Sequence, residues 1–163
     1  MSREQPYKLR FALEATGLSS QTLRHWREVL PPLRHRVAHH PAFSAGDLLA
    51  MKVLHLWSRR WDAKISHMEC ASTGLFELCE AEPWARIEQS LLALDFAHDT
   101  WELTGESAHV RWPEGALLLP IGRLARELRE HLMGNRTSLQ MDIPLMGVVG
   151  KNAERSVESG GGR

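Results

Sequence analysis

The sequence predicts a mainly α-helical protein with a small α+β C-terminal region, and three observations lead there. Apolar residues recur at helical spacing through most of 9–94. Beyond Asp95 the pattern turns to alternation around Trp101 and Trp112. The chain of 163 residues, 43% hydrophobic and 25% charged, can bury an ordinary core without help from disulfides or a metal.

Taken in order, Leu9, Ala12 and Leu13 set a first helix over 9–16, and Gly17 stops it, because glycine takes the left-handed conformation most easily. Ser19 or Ser20 caps a second helix whose inward stripe is Leu23, Trp26 and Leu30, leaving Gln21, Arg24, His25 and Glu28 outside. Pro31 and Pro32 cannot continue that helix and call for an extended exit. The cation-rich stretch 33–41 suits a hairpin or loop. Ser44 and Asp47 have the spacing of a capping box and open a third, central helix through Leu48, Leu49, Met51, Val53, Leu54, Leu56 and Trp57. A fourth helix is expected over about 63–78, with Ile65, Met68, Cys70, Leu75 and Leu78 inward and Gly74 weakening its middle. A fifth starts at Pro83 and carries Trp84, Ile87, Leu91 and Leu94.

Residues 100–103 and 108–112 then read as a β-hairpin turning at Thr104-Gly105-Glu106, with a short strand at 116–119. Pro120 opens a last helix with Ile121, Leu124, Leu128 and Leu132, which Gly134 is expected to end. The division expected is a first domain over 1–80, a helix, hairpin and helix over 81–134 for dimerisation or a partner, and a mostly flexible tail over 135–163. The apolar positions of the second part, Trp101, Val110, Trp112, Leu119, Leu124 and Leu128, are too few for a core alone, and packing across a two-fold axis is preferred to packing on the N-terminal helices.

The formal net charge of zero hides a division. Residues 1–67 hold 11 Lys/Arg against 5 Asp/Glu, and residues 68–163 hold 9 against 15. A basic half points to an anionic partner such as nucleic acid. The polar N-terminus leads into no apolar run of the kind a secretory signal needs, and two cysteines make no disulfide framework, so a cytoplasmic protein without a membrane span is expected.

The spacing Tyr7-x-Leu9-x-x-Ala12-Leu13-x-x-Thr16-Gly17-Leu18-Ser19-x-x-Thr22-Leu23-Arg24-His25-Trp26, with Leu30-Pro31-Pro32 and later Phe43-Ser44-x-x-Asp47-Leu48, resembles the DNA-binding domain of the MerR family over Tyr7 to Met68. The resemblance implies an N-terminal winged helix-turn-helix whose second helix is the recognition helix, and a dimer reading a palindromic operator. The residues support the same expectation: Arg24 can bond guanine or phosphate, Gln21 can bond adenine, and Ser19, Ser20 and the helix N-terminus can hold a phosphate. Thr22, His25 and Arg27 complete that surface. Family members carry an arginine and an aromatic where this chain has Pro41-Ala42, so Arg34, Arg36, His39 and His40 are assigned the wing contacts instead. The long dimerising helix and sensor segment of many members have no counterpart beyond Pro83, and no effector carries over.

The function expected is therefore a sequence-specific, dimeric transcriptional regulator of double-stranded DNA, nucleoid-associated, with RNA polymerase or another protein as a further partner. The alternatives are a phage or mobile-element accessory DNA-binding protein for recombination directionality or packaging, and a protein-interaction module for an acidic partner. No P-loop, Gly-x-Gly-x-x-Gly, His-Glu-x-x-His or Gly-x-Ser-x-Gly is present, so neither enzyme activity nor a cofactor is expected. His67, Cys70 and Cys79 lack the close paired spacing of zinc signatures, and buried reduced cysteines are expected in place of a metal site.

Overall fold

The computed structural model describes residues 7–34, 43–95, 97–105 and 116–141, with side chains described as far as Gly134. Helix α1 (Leu9–Thr16) ends at Gly17, which takes φ 73° and donates its N–H to the Leu13 carbonyl at 2.9 Å. A three-residue turn leads to α2 (Ser20–Val29), capped by Ser19. Leu23, Trp26 and Leu30 are buried, as their spacing predicts, and Gln21, Arg24, His25 and Glu28 are exposed. The exit differs from the expectation. Leu30 alone is extended, and Pro31 at once begins a single helical turn, α3 (Pro31–Arg34). Proline lacks only the N–H that a first helical turn leaves unused, so it blocks continuation but permits a new start.

The central helix is α4 (Ala45–Trp61), whose N-terminal ten residues are almost wholly buried. The capping box is present: Ser44 Oγ accepts from the Asp47 N–H at 3.0 Å, and the Asp47 carboxylate accepts from the Ser44 N–H at 2.9 Å. Just before it, Tyr7 and Phe43 pair as an antiparallel bridge. The expected fourth helix begins later and in two parts, a 3₁₀ turn over Ile65–Met68 followed by α5 (Glu69–Ala81). Ile65, Met68 and Leu75 are buried and Leu78 is half-buried, but Cys70 is exposed, so of the two cysteines only Cys79 behaves as a small core residue. Gly46 brings α4 and α5 together. A Cβ there would stand 2.8 Å from the Cys79 carbonyl oxygen, closer than a side chain tolerates.

The expected fifth helix is corrected most strongly. Only α6 (Trp84–Ile87) is helical, and Ser90–Asp95 forms β1, the middle strand of an antiparallel sheet with order β2-β1-β3. Its neighbours are β2 (Thr100–Gly105) and β3 (Ala116–Leu119). The helical reading put Leu91 and Leu94 on one face. In the strand Leu92 and Leu94 share a face, with Leu92 opposite Leu103 and Leu119, and Leu94 opposite Trp101 and Leu117. Ladder bonds on both edges together with this apolar row outweigh the helix start at Pro83 and the helical spacing of Trp84, Ile87, Leu91 and Leu94. The hairpin expectation shifts with it: β2 pairs with β1, Thr104 and Gly105 lie inside the strand, and 108–112 fall outside the described residues.

Helix α7 (Ile121–Met141) runs past Gly134, which does not end it. Glycine lowers helix propensity by about 1 kcal/mol, a cost one residue in a long helix can carry. Ile121, Ala125, Leu128 and Leu132 are buried along one stripe against α4, α1, α6 and β1. Trp101, one of the positions preferred for two-fold packing, is buried within the chain, and its indole N–H donates to the Ala71 carbonyl on α5 at 2.8 Å. Leu119 and Leu128 are buried in the same cluster and Leu124 packs half-buried against it, so these positions pack on the chain's own N-terminal helices, contrary to the two-fold packing preferred above. Val110 and Trp112 lie outside the described residues. Gly122 makes the α6 to α7 junction, where a Cβ would press on the Glu88 carbonyl group, its carbon 2.9 Å away.

Candidate nucleic-acid interface

The site is built on α2. Ser19 Oγ accepts from the Thr22 N–H at 3.0 Å and shares a 2.8 Å hydrogen bond with Thr22 Oγ1, so the cap fixes both hydroxyls and leaves the first turn of the helix facing solvent. Ser19, Ser20 and Gln21 are exposed and Thr22 is half-buried. One turn on, Arg24 and His25 are exposed on the side opposite Leu23 and Trp26. The buried stripe anchors the helix, and the outward row of Gln21, Arg24 and His25 offers an amide, a guanidinium and an imidazole within about 6 Å of helix length. Glu28 ends this row with the opposite charge.

Arg27 and Arg34 stand apart from that row. Arg27 is half-buried with its guanidinium carbon 5.7 Å from the centre of the Phe43 ring, and its Nε and one terminal nitrogen are buried without a hydrogen-bond partner. Arg34 donates to the Val29 carbonyl at 3.2 Å and to the Glu69 carboxylate at 3.1 Å, which ties α3 to the start of α5. Arg36, His39 and His40 lie outside the described residues. The structure thus groups Ser19, Ser20, Gln21, Thr22, Arg24 and His25 at one end and along one face of α2, and holds Arg34 against α5.

A second group escaped the sequence reading. Lys52, His55, Arg59 and Arg60 project from one side of α4 beside the end of α1. Their spacing of i, i+3, i+7 and i+8 puts them on one side of the helix, beside the apolar stripe that dominates its pattern. Before Met68, Arg34 alone of the described Lys and Arg side chains makes an ion pair.

The cysteines and acids offer little chemistry. Burial pushes the Cys79 thiol up to about 12, with the Asp47 and Glu80 carboxylates adding to the rise. Among the described residues no three His, Cys, Asp or Glu side chains gather as a metal site, and no helix is long and apolar enough to cross a membrane. Comparison with known proteins gives no match to a family model, a curated protein or a solved structure.

Proposed function

We propose that this chain is a sequence-specific DNA-binding regulator that uses α2 as its recognition helix and acts as a dimer on a palindromic operator. The observation that carries the reading is the division of α2 into a buried stripe of Leu23, Trp26 and Leu30 and an exposed row of Gln21, Arg24 and His25, behind a capped N-terminus. A helix so divided can lie in a major groove, where Arg24 reaches guanine O6 and N7 and Gln21 an adenine edge. The three-residue turn with Gly17 between α1 and α2 suits a winged helix-turn-helix of the MerR type. The unpaired cations of the N-terminal helices supply the phosphate attraction that positions such a protein before bases are read.

Selection of bound duplexes from a random pool tests the reading directly. A palindromic consensus is the expected outcome, fixing target and stoichiometry together. Recovery of no sequence preference, with affinity that vanishes at moderate salt, would refute it.

A further inference from the structure

Beside the α1 to α2 turn lies a recess of about 330 Å³ lined by Thr16, Lys52, His55, Leu56, Arg59, Arg60 and Leu124. Three cations and a histidine line it, and among the described residues no carboxylate does. Lys52, Arg59 and Arg60 make no ion pair among the described residues, although Arg34, Arg86, Arg123 and Arg129 elsewhere on the molecule all do. The negative end of the helix dipole accounts for cations at Arg59 and Arg60 in the last turn of α4. It does not account for Lys52, which is mid-helix and half-buried. The Lys52 ammonium thus stands at the recess with no carboxylate partner among the described residues, its hydrogen-bonding capacity open to an anion.

His55 lines the same recess. Its Nδ1 faces the Thr16 carbonyl oxygen at 3.0 Å, and since a carbonyl can only accept, Nδ1 carries the hydrogen. That bond orients the ring, and Nε2 makes no hydrogen bond among the described residues. Leu56 and Leu124, both half-buried, supply apolar wall from two different helices.

We propose that this recess binds a small phosphorylated molecule, with the phosphate held by Lys52, Arg59 and Arg60 and the organic part against Leu56 and Leu124. The volume suits a mononucleotide-sized ligand, at the lower end of small-molecule sites. The apolar wall of Leu56 and Leu124 beside the cations favours a ligand with an organic part over the backbone of a duplex. The bound ligand stands against Thr16 and beside Gly17, whose position for a Cβ is 3.6 Å from the His55 ring, and so touches the segment that sets α2. The assignment does not depend on α2 being a recognition helix.

Calorimetric titration of the full chain with pyrophosphate and with adenosine 5′-monophosphate tests it, beside Lys52→Gln, the double variant Arg59→Gln/Arg60→Gln, and Arg24→Gln. The expected result is saturable binding of one ligand per chain, weakened at least tenfold by Lys52→Gln and by the double variant and unchanged by Arg24→Gln. Arg59 and Arg60 are exposed, so the double variant should keep the parent's thermal unfolding and report on binding alone. Absence of saturable binding, or an equal loss in Arg24→Gln that marks general surface charge, would overturn the proposal. So would loss of duplex affinity in the double variant with no response to either phosphate probe, which would make the recess a DNA-backbone contact.

Discussion

Arg24 on α2 and Lys52, Arg59 and Arg60 on α4 meet no carboxylate among the described residues, whereas the later helices satisfy their arginines internally. Arg86 pairs with Glu82 at 2.9 Å, Arg123 with Glu127 at 2.9 Å and Arg129 with Glu88 at 3.0 Å, and Arg126 donates to the Glu88 carbonyl at 2.8 Å. Net charge differs between the two halves, but pairing separates them more sharply. A paired arginine holds its own fold together. An unpaired one keeps its hydrogen-bonding capacity and its field for a partner. Among the described residues, the N-terminal cations other than Arg34 stay without an ion pair, while the arginines of the later helices are held by groups of the same chain.

The largest effect is expected from removing the packing under α2. Trp26→Ala empties a site only 2% exposed, and the expected loss is about 3 to 5 kcal/mol, read from chemical denaturation. An unchanged midpoint would mean that the exposed row on α2 is not held by its buried stripe. Gly46→Ala attacks the support elsewhere, at the crossing of α4 and α5, with an expected cost of about 1 to 3 kcal/mol in the same measurement.

Arg24→Ala and Arg129→Ala separate the two kinds of arginine. The first should leave unfolding unchanged while weakening operator binding by about 1 to 3 kcal/mol in a titration. The second should leave DNA affinity unchanged and cost stability by about 1 kcal/mol, because Glu88, its side chain 13% exposed, loses its partner. Exchange of these phenotypes between the two variants would dissolve the distinction. The smallest effect is at the β1 to β2 turn, where hydrogen bonds from His98 and the Ala97 N–H hold the Asp95 carboxyl below its ordinary value. A carboxyl depressed in the folded state contributes stability above its unfolded pKa, and that contribution is lost as pH falls through the folded value. A small loss of stability below about pH 4, absent in Asp95→Asn, is the expected outcome.

Much of the N-terminal part is legible from local signals. Gly17 ends α1, Ser19 caps α2, Ser44 and Asp47 box the start of α4, and Leu23, Trp26 and Leu30 face inward, because caps and stripes act within one or two turns of chain. The outward row of Gln21, Arg24 and His25 follows from the same spacing. The cationic side of α4 was equally written in the sequence, but what makes it a recess is Thr16 from α1 and Leu124 from α7, far away in the chain.

Local sequence signals suffice for α1, α2, α4 and most of α5, for the face that α2 turns outward and for the uneven charge, but not for the helical turn at Pro31–Arg34. That Ser90–Asp95 is a central strand follows from long-range pairing, since its ladder partners lie in two later segments and no local pattern carries them. Long-range packing likewise brings α7 and the sheet onto α1, α4 and α5, turns Arg34 to Glu69, and leaves Cys70 exposed while Cys79 is buried. Burial and pairing depend on which surfaces meet, and that is settled by long-range packing after the local elements have formed.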